Sequence, residues 1–190
     1  MTEQLATRTF EGFPIPSAGT FTLDPAHTVV GAVARHLMVS KVRGTFGDVS
    51  GTVTVADDPA ESAVEVTIKA ASIDTGNADR DNHLRGADFL DVETYPELTF
   101  RSTRLTKQNG NEFVVVGDMT IRGVTREVEL EVTFEGVAKS PWGQEVIGFS
   151  AAGELDREEF GMTWNAALET GGVLVGRKLK LEISAEATRS

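Results

Sequence analysis

Three histidines, His27, His36 and His83, are the side chains of this sequence best suited to acid–base or metal chemistry, and aspartates accompany two of them. Asp24 precedes His27 in "LDPAHTVV", while Asp79, Asp81 and Asp88 flank His83 in "NADRDNHLRGADFL". Imidazole and carboxylate together could bind a divalent cation or pass a proton. Their spacing specifies neither, because the chain has no HExxH, no histidine pair at helical i,i+4 spacing and no cysteine. His36 sits among apolar neighbours in "HTVVGAVARHLMV". That setting is more usual for a core histidine than for a ligand. The serine of "GFSAAG" lacks the glycine-flanked elbow of a serine hydrolase, and no dinucleotide or phosphate-loop glycine spacing occurs. No metal or other cofactor is expected, and catalysis, with His36 or His83 as the acid–base group and an aspartate orienting it, is the alternative reading.

The densest polar block, "RDNHLRGADFLDVETYPELTFRST", begins at Arg80. Just before it Asn77 can accept from a first-turn N–H, Asp79 suits the positive end of a helix, and Gly86 can stop one. This predicts a short helix of roughly 78–85. Exposed pairs among Arg80, Asp81, Arg85 and Asp88 would each contribute little to stability. Charge pairing does not account for Leu84, Phe89 and Leu90. Those apolar groups suggest that the helix lies across an apolar opening as a lid or plug, with Arg80, His83 and Arg85 as polar groups at the mouth.

The elements that would position these residues alternate with a period of two. In "REVELEVTFEG", Val128, Leu130, Val132 and Phe134 alternate with Glu127, Glu129, Glu131 and Thr133, so one face is wet. "EFVVVGDMTIRG" places Phe113, Val115, Met119 and Ile121 on one face. Further strands are expected near 20–24, 29–38, 45–56, 63–71, 97–105, 145–155 and 173–187. Asn109-Gly110 and Gly123 supply turns that need positive φ. Asp156 could cap a single helical turn near residue 158. With no helices repeated between strands, the pattern predicts an all-β antiparallel fold. Closing the strands into an eight-stranded barrel removes unprotected edges.

Such a barrel can be filled by side chains or hold one small ligand. The strand "HTVVGAVARHLMV" would turn Val30, Ala32, Ala34, His36 and Met38 inward. Two others would contribute Phe149 with Ala151, and Leu179 with Leu181. Phe100, Phe113, Met119 and Phe134 would complete the walls. The alanines allow a hollow interior, and larger residues facing them could equally fill it.

Composition narrows the partners. With 18 basic and 29 acidic residues the net charge is -11, which repels nucleic acid and anionic lipid headgroups unless a local basic patch overrides it, and no run of Lys or Arg occurs. No segment approaches the roughly 20 apolar residues of a membrane span, and the N-terminal stretch has no apolar run suited to a signal peptide. A cytoplasmic chain is expected, with residues 1–19 a flexible or draped extension and residues 20–190 the folded domain.

Quoted together, "FTLDPAHTVV", "RHLMVSKVRGTFGDVSGTV", the block from Arg80 with its preceding "SIDTGNAD", "GDMTIRGVTREVEL" and "PWGQEVIGFSAAGELDREEFGM" resemble the YceI-like family in order and spacing. That resemblance implies a lipocalin-like barrel, an apolar tunnel rather than a catalytic set, and a polyisoprenoid, isoprenoid quinone or fatty-acid derivative as ligand. It also implies a possible homodimer. Many relatives are periplasmic, and many carry a bulkier residue where this chain has Ala32. A stress-response interaction module with a filled barrel is a third reading.

Overall fold

The computed structural model describes Leu5 and residues 7–190; the parts of the expected N-terminal extension at 1–4 and 6 lie outside the described residues. Thirteen strands are described: β1 (Thr7–Phe10), β2 (Phe13–Pro16), β3 (Gly19–Leu23), β4 (Val29–His36), β5 (Ser40–Phe46), β6 (Val49–Val55), β7 (Ala63–Lys69), β8 (Ile73–Asp74), β9 (Glu97–Asn109), β10 (Glu112–Ile121), β11 (Val124–Lys139), β12 (Glu145–Asp156) and β13 (Val175–Arg189). The helix α1 spans Ala78–Arg85, and single 3-10 turns occupy Pro59–Glu61, Ala70–Ser72 and Arg157–Phe160.

Eight strands close a ring in the order β12-β11-β10-β9-β7-β6-β3-β13, and β13 returns to β12. All the ladders are antiparallel, as the alternating pattern and the hairpin turns require. At Arg122-Gly123, φ values of 55° and 72° give the tight two-residue turn that joins Ile121 to Val124. Leu130 and Phe134 point inward and are buried, with Glu131 between them exposed.

The remaining strands form a flap. β13 pairs with β12 along one edge, while its other edge pairs with β4 at Val175–Ser184 and with β3 at Ala187–Arg189. β4 carries β5, and β5 carries the short β8. Consecutive strands β5 and β6 do not pair, so the sheet parts between them. The single strand expected over 45–56 is therefore two pieces, and the one expected over 29–38 ends at His36. Gly44 dilutes the alternation of β5, Gly47 falls in the break between β5 and β6, and a turn supplies residues 37–39.

The helix lies beside this parting. Asn77 Oδ1 accepts from Arg80 N at 3.0 Å, and Asp79 and Asp81 occupy the first turn. Gly86 ends the helix with extended rather than left-handed backbone. At the opposite end of the barrel β1 and β2 form a hairpin that sequence reading had not assigned. Its Ile15 and Pro16 are buried, and Arg8 donates to the carbonyls of Ala56 and Asp57, which binds the hairpin to the end of β6. Among the described residues no helix is long and apolar enough to cross a membrane.

Candidate functional site

The barrel interior is hollow, with a cavity of about 490 Å3. That size lies within the ordinary range for small-molecule sites, roughly 300–1,000 Å3. Its wall is set by strand parity. Val30, Ala32 and Ala34 come from β4, Phe100 from β9, Phe113 and Met119 from β10, Phe134 from β11, Phe149 and Ala151 from β12, and Leu179 and Leu181 from β13. Phe134 and Phe149 pack with ring centroids 5.5 Å apart. Ala32 lies between Gly44 of β5 and Leu181 of β13 in the ladder, so this side of the wall has little side-chain bulk on two adjacent strands.

Ile15 and Pro16 of the N-terminal hairpin line the cavity with Val55 and Phe113, which closes that end. At the other end Leu84, Phe89 and Leu90 lie over it, together with Arg80 and His83. Of the lining residues, Arg35, Arg80 and His83 at this helix end are exposed, against Ala63 elsewhere, which marks the helix end as the mouth. His36 also lines it there.

Two expected positions are corrected. Met38 does not line the cavity; β4 stops at His36, and Leu37 and Met38 turn outward at positive φ values of 52° and 62°. Arg85 is not at the mouth either. Its guanidinium donates to Ala71 O and Ile73 O, each at 2.8 Å, and so fastens α1 to the start of β8.

Two residues at the mouth escaped sequence reading. Trp164 stands edge-on to His83 at 4.7 Å and 85°, and tilted against Phe89 at 5.5 Å. Arg157, among the most deeply buried side chains, lines the cavity and donates to the carbonyls of Gly176 (2.8 Å), Met162 (2.6 Å), Trp164 (3.0 Å) and Val175 (3.2 Å). Burial holds its pKa below the ordinary arginine value. The only hint in the sequence was its place directly after the Asp156 cap. Its partners come from residues 162–176, which local pattern cannot connect.

The polar groups of the mouth are one-sided. Among the described residues, the charged or titratable lining side chains are Arg35, His36, Arg80, His83 and Arg157, and no Asp or Glu lines the cavity. Arg80 is oriented by Thr75, to whose hydroxyl and carbonyl it donates at 2.7 and 3.0 Å. Thr75 in turn donates through its backbone N–H and its hydroxyl to Asp81 (2.9 and 2.6 Å), and these bonds, the hydroxyl's above all, hold that buried carboxyl below its usual pKa.

The histidines and aspartates do not converge on one centre. His83 Nε2 lies 2.9 Å from Asp88 Oδ2, an exposed pair at the rim that could orient an imidazole. His27 Nδ1 lies 2.7 Å from Asp24 Oδ2 and 3.8 Å from Glu186 Oε2, away from the cavity lining. The Asp24 hydrogen bond raises the His27 pKa and lowers its own. Asp24, His27 and Glu186 have ligand atoms within 4.8 Å of one another and are the described residues best placed to hold a metal ion. Asp79 joins neither pair.

The YceI-like domain model matches residues 21–187. A UPF0312 protein of Staphylococcus epidermidis is 46% identical over 175 residues, covering 87% of this chain and 95% of that protein. The crystal structure of a Campylobacter jejuni YceI protein superposes with a TM-score of 0.70 at 34% identity, over 82% of this chain and 90% of that one. A Saccharophagus degradans domain described as polyisoprenoid binding and implicated in plant cell wall breakdown shares the fold alone, with a TM-score of 0.66 at 12% identity over 92% of this chain and 100% of that one.

Proposed function

The chain belongs to the YceI-like family, and from that premise we propose that its barrel binds and carries one elongated apolar molecule, without chemically changing it. The observation that carries this reading is the hollow interior, walled by apolar side chains from one end of the barrel to the other, with cationic groups only at the mouth. Affinity would come from desolvation, at about 25 cal/mol for each Å2 of apolar surface removed from water. A chain of isoprenoid or fatty-acyl type suits such a site, since it offers length and no polar atoms along its tail. Its polar head would sit at the helix end, beside Arg80 and His83.

The lining charges favour a head that accepts hydrogen bonds or carries negative charge, because among the described residues the lining holds Arg and His but no Asp or Glu, and Asp88 at the rim is paired with His83. Organic extraction of the purified protein, with mass spectrometry of the extract, is the direct test. A stoichiometric long-chain apolar compound, recovered unchanged after incubation, supports carriage. Repeated absence of such a compound, with no uptake of added polyprenyl or fatty-acyl probes, would sink the reading. Turnover of a bound lipid that is lost in His83→Ala, while the fold is kept, would replace it with catalysis.

A further inference from the structure

The turn joining β4 to β5 is built against the usual rules. Val39 N donates to His36 O at 3.1 Å, and the two central residues, Leu37 and Met38, have φ of 52° and 62°. Asn and Gly are the residues that hold this left-handed pair without strain; large side chains there cost conformational energy. The side chains that bear this cost are then left in water. Leu37, Met38 and Val39 are 39%, 52% and 80% exposed. Strain and exposed apolar surface together at one tip indicate a surface shaped for something outside the fold.

Its surroundings say what that is. Leu37 N donates at 2.9 Å to the carbonyl of Leu174, which lines the cavity, so the tip stands on the rim of the mouth. Behind the tip Arg35 and Lys41 face each other across the β4–β5 ladder. Both are exposed, and among the described residues neither side chain has a hydrogen-bond or ion-pair partner. The adjoining loop, which approaches Met38 at Gly172, contributes a single carboxylate, Glu169. An apolar point backed by two unpaired cations is the arrangement that enters a lipid headgroup layer.

We propose that the β4–β5 tip docks on a lipid bilayer: Leu37, Met38 and Val39 enter the interface while Arg35 and Lys41 rest against anionic headgroups, and the cavity mouth is set on the membrane surface. The use of this contact for loading and unloading cargo rests on the carrier reading above; the contact itself does not. The chain's net charge of -11 opposes approach to an anionic surface at long range, and salt screens that repulsion beyond about 8 Å under physiological conditions. The local cations then act at contact.

The test is co-sedimentation of the full-length protein with vesicles of phosphatidylcholine alone and of phosphatidylcholine with phosphatidylglycerol. The wild type should sediment with both, more with the second. Leu37→Asn/Met38→Gly/Val39→Ser should lose about tenfold or more in partitioning, since it removes the inserted apolar area. It should melt at or above the wild-type temperature, because Asn-Gly suits the turn. Lys41→Gln should remove most of the preference for phosphatidylglycerol. Should the triple variant fail to fold, Val39→Ser alone, at the most exposed of the three positions, still has to weaken sedimentation. Wild-type protein that stays in the supernatant, or a folded triple variant that sediments like the wild type, overturns the proposal. A protein that carries extractable lipid yet ignores vesicles would keep the carrier reading and lose this one; one that yields no lipid but sediments would do the reverse.

Discussion

His83 and Trp164 meet edge to face, with ring centroids 4.7 Å apart at 85°, and through them the helix α1 is joined to the loop that precedes β13. Phe89 completes the cluster, 5.1 Å from His83 and 5.5 Å from Trp164. The three rings form a latch across the mouth. An aromatic pair of this kind contributes about 0.5–1.5 kcal/mol beyond its area burial. Trp164→Ala should therefore leave the barrel folded, by circular dichroism, while a bound fluorescent fatty-acyl probe leaves several-fold faster in stopped-flow displacement. Unchanged release would show that the probe takes another way out.

Ala32 offers a way to fill the interior without touching the mouth. Its ladder neighbours are Gly44 and Leu181, and a ring at this position would project into the cavity. Ala32→Phe should lower the stoichiometry of probe uptake, most for the longest probes, at a stability cost of about 1–3 kcal/mol for overpacking. Isothermal titration with probes of graded length reads this directly. Equal uptake at all lengths would place the bound chain elsewhere.

Arg157 is buried with four carbonyl acceptors around its guanidinium. Arg157→Met keeps much of the volume and takes the guanidinium donor from the carbonyls of Met162, Trp164 and Gly176, while Val175 O keeps its donor in Asn165 Nδ2. Each unsatisfied buried group costs about 1–3 kcal/mol, so a total loss of several kcal/mol in urea unfolding is expected. The loop at 162–176 should also become protease-sensitive before the barrel does.

Asp156 is buried and accepts from Arg177 Nη2 at 2.6 Å and Nε at 3.0 Å, and its side chain caps the turn at Arg157–Phe160. These bonds, the Arg177 one first, hold its pKa below the ordinary aspartate value. A carboxyl whose pKa is lower folded than unfolded adds stability at every pH above its unfolded value of about 3.9, and that stability disappears as pH falls through the folded value. Asp81, lowered chiefly by Thr75, behaves the same way. Asp156→Asn should therefore melt below the wild type at neutral pH, and the gap should narrow below about pH 4. A gap that is constant down to strong acid would mean the loss is one of packing or hydrogen bonding alone.

What the sequence made legible was whatever local chemistry decides. The unbroken alternation of β11 declares its inward face, and the Asn77 cap and the charged first turn set the helix at 78–85. The apolar walls followed from strand parity once the strands were placed. What escaped depends on distant parts of the chain. The hairpin at 7–16 is held by carbonyls near Asp57, β5 is thinned by glycine, and Arg157 and Trp164 gain their roles only when β13 brings its loop back to the helix. Met38 was misplaced because alternation continues in the sequence past the point where the backbone turns left-handed.

Among the described residues β13 is the last strand in chain order, and it alone joins β12, β4 and β3. Until it docks there is a curved, open sheet with its apolar concave side uncovered, and no cavity. Such non-local closure is slow compared with hairpin formation. On the carrier reading, that apolar surface stays open to self-association, and cargo has no enclosed site, until β13 has docked.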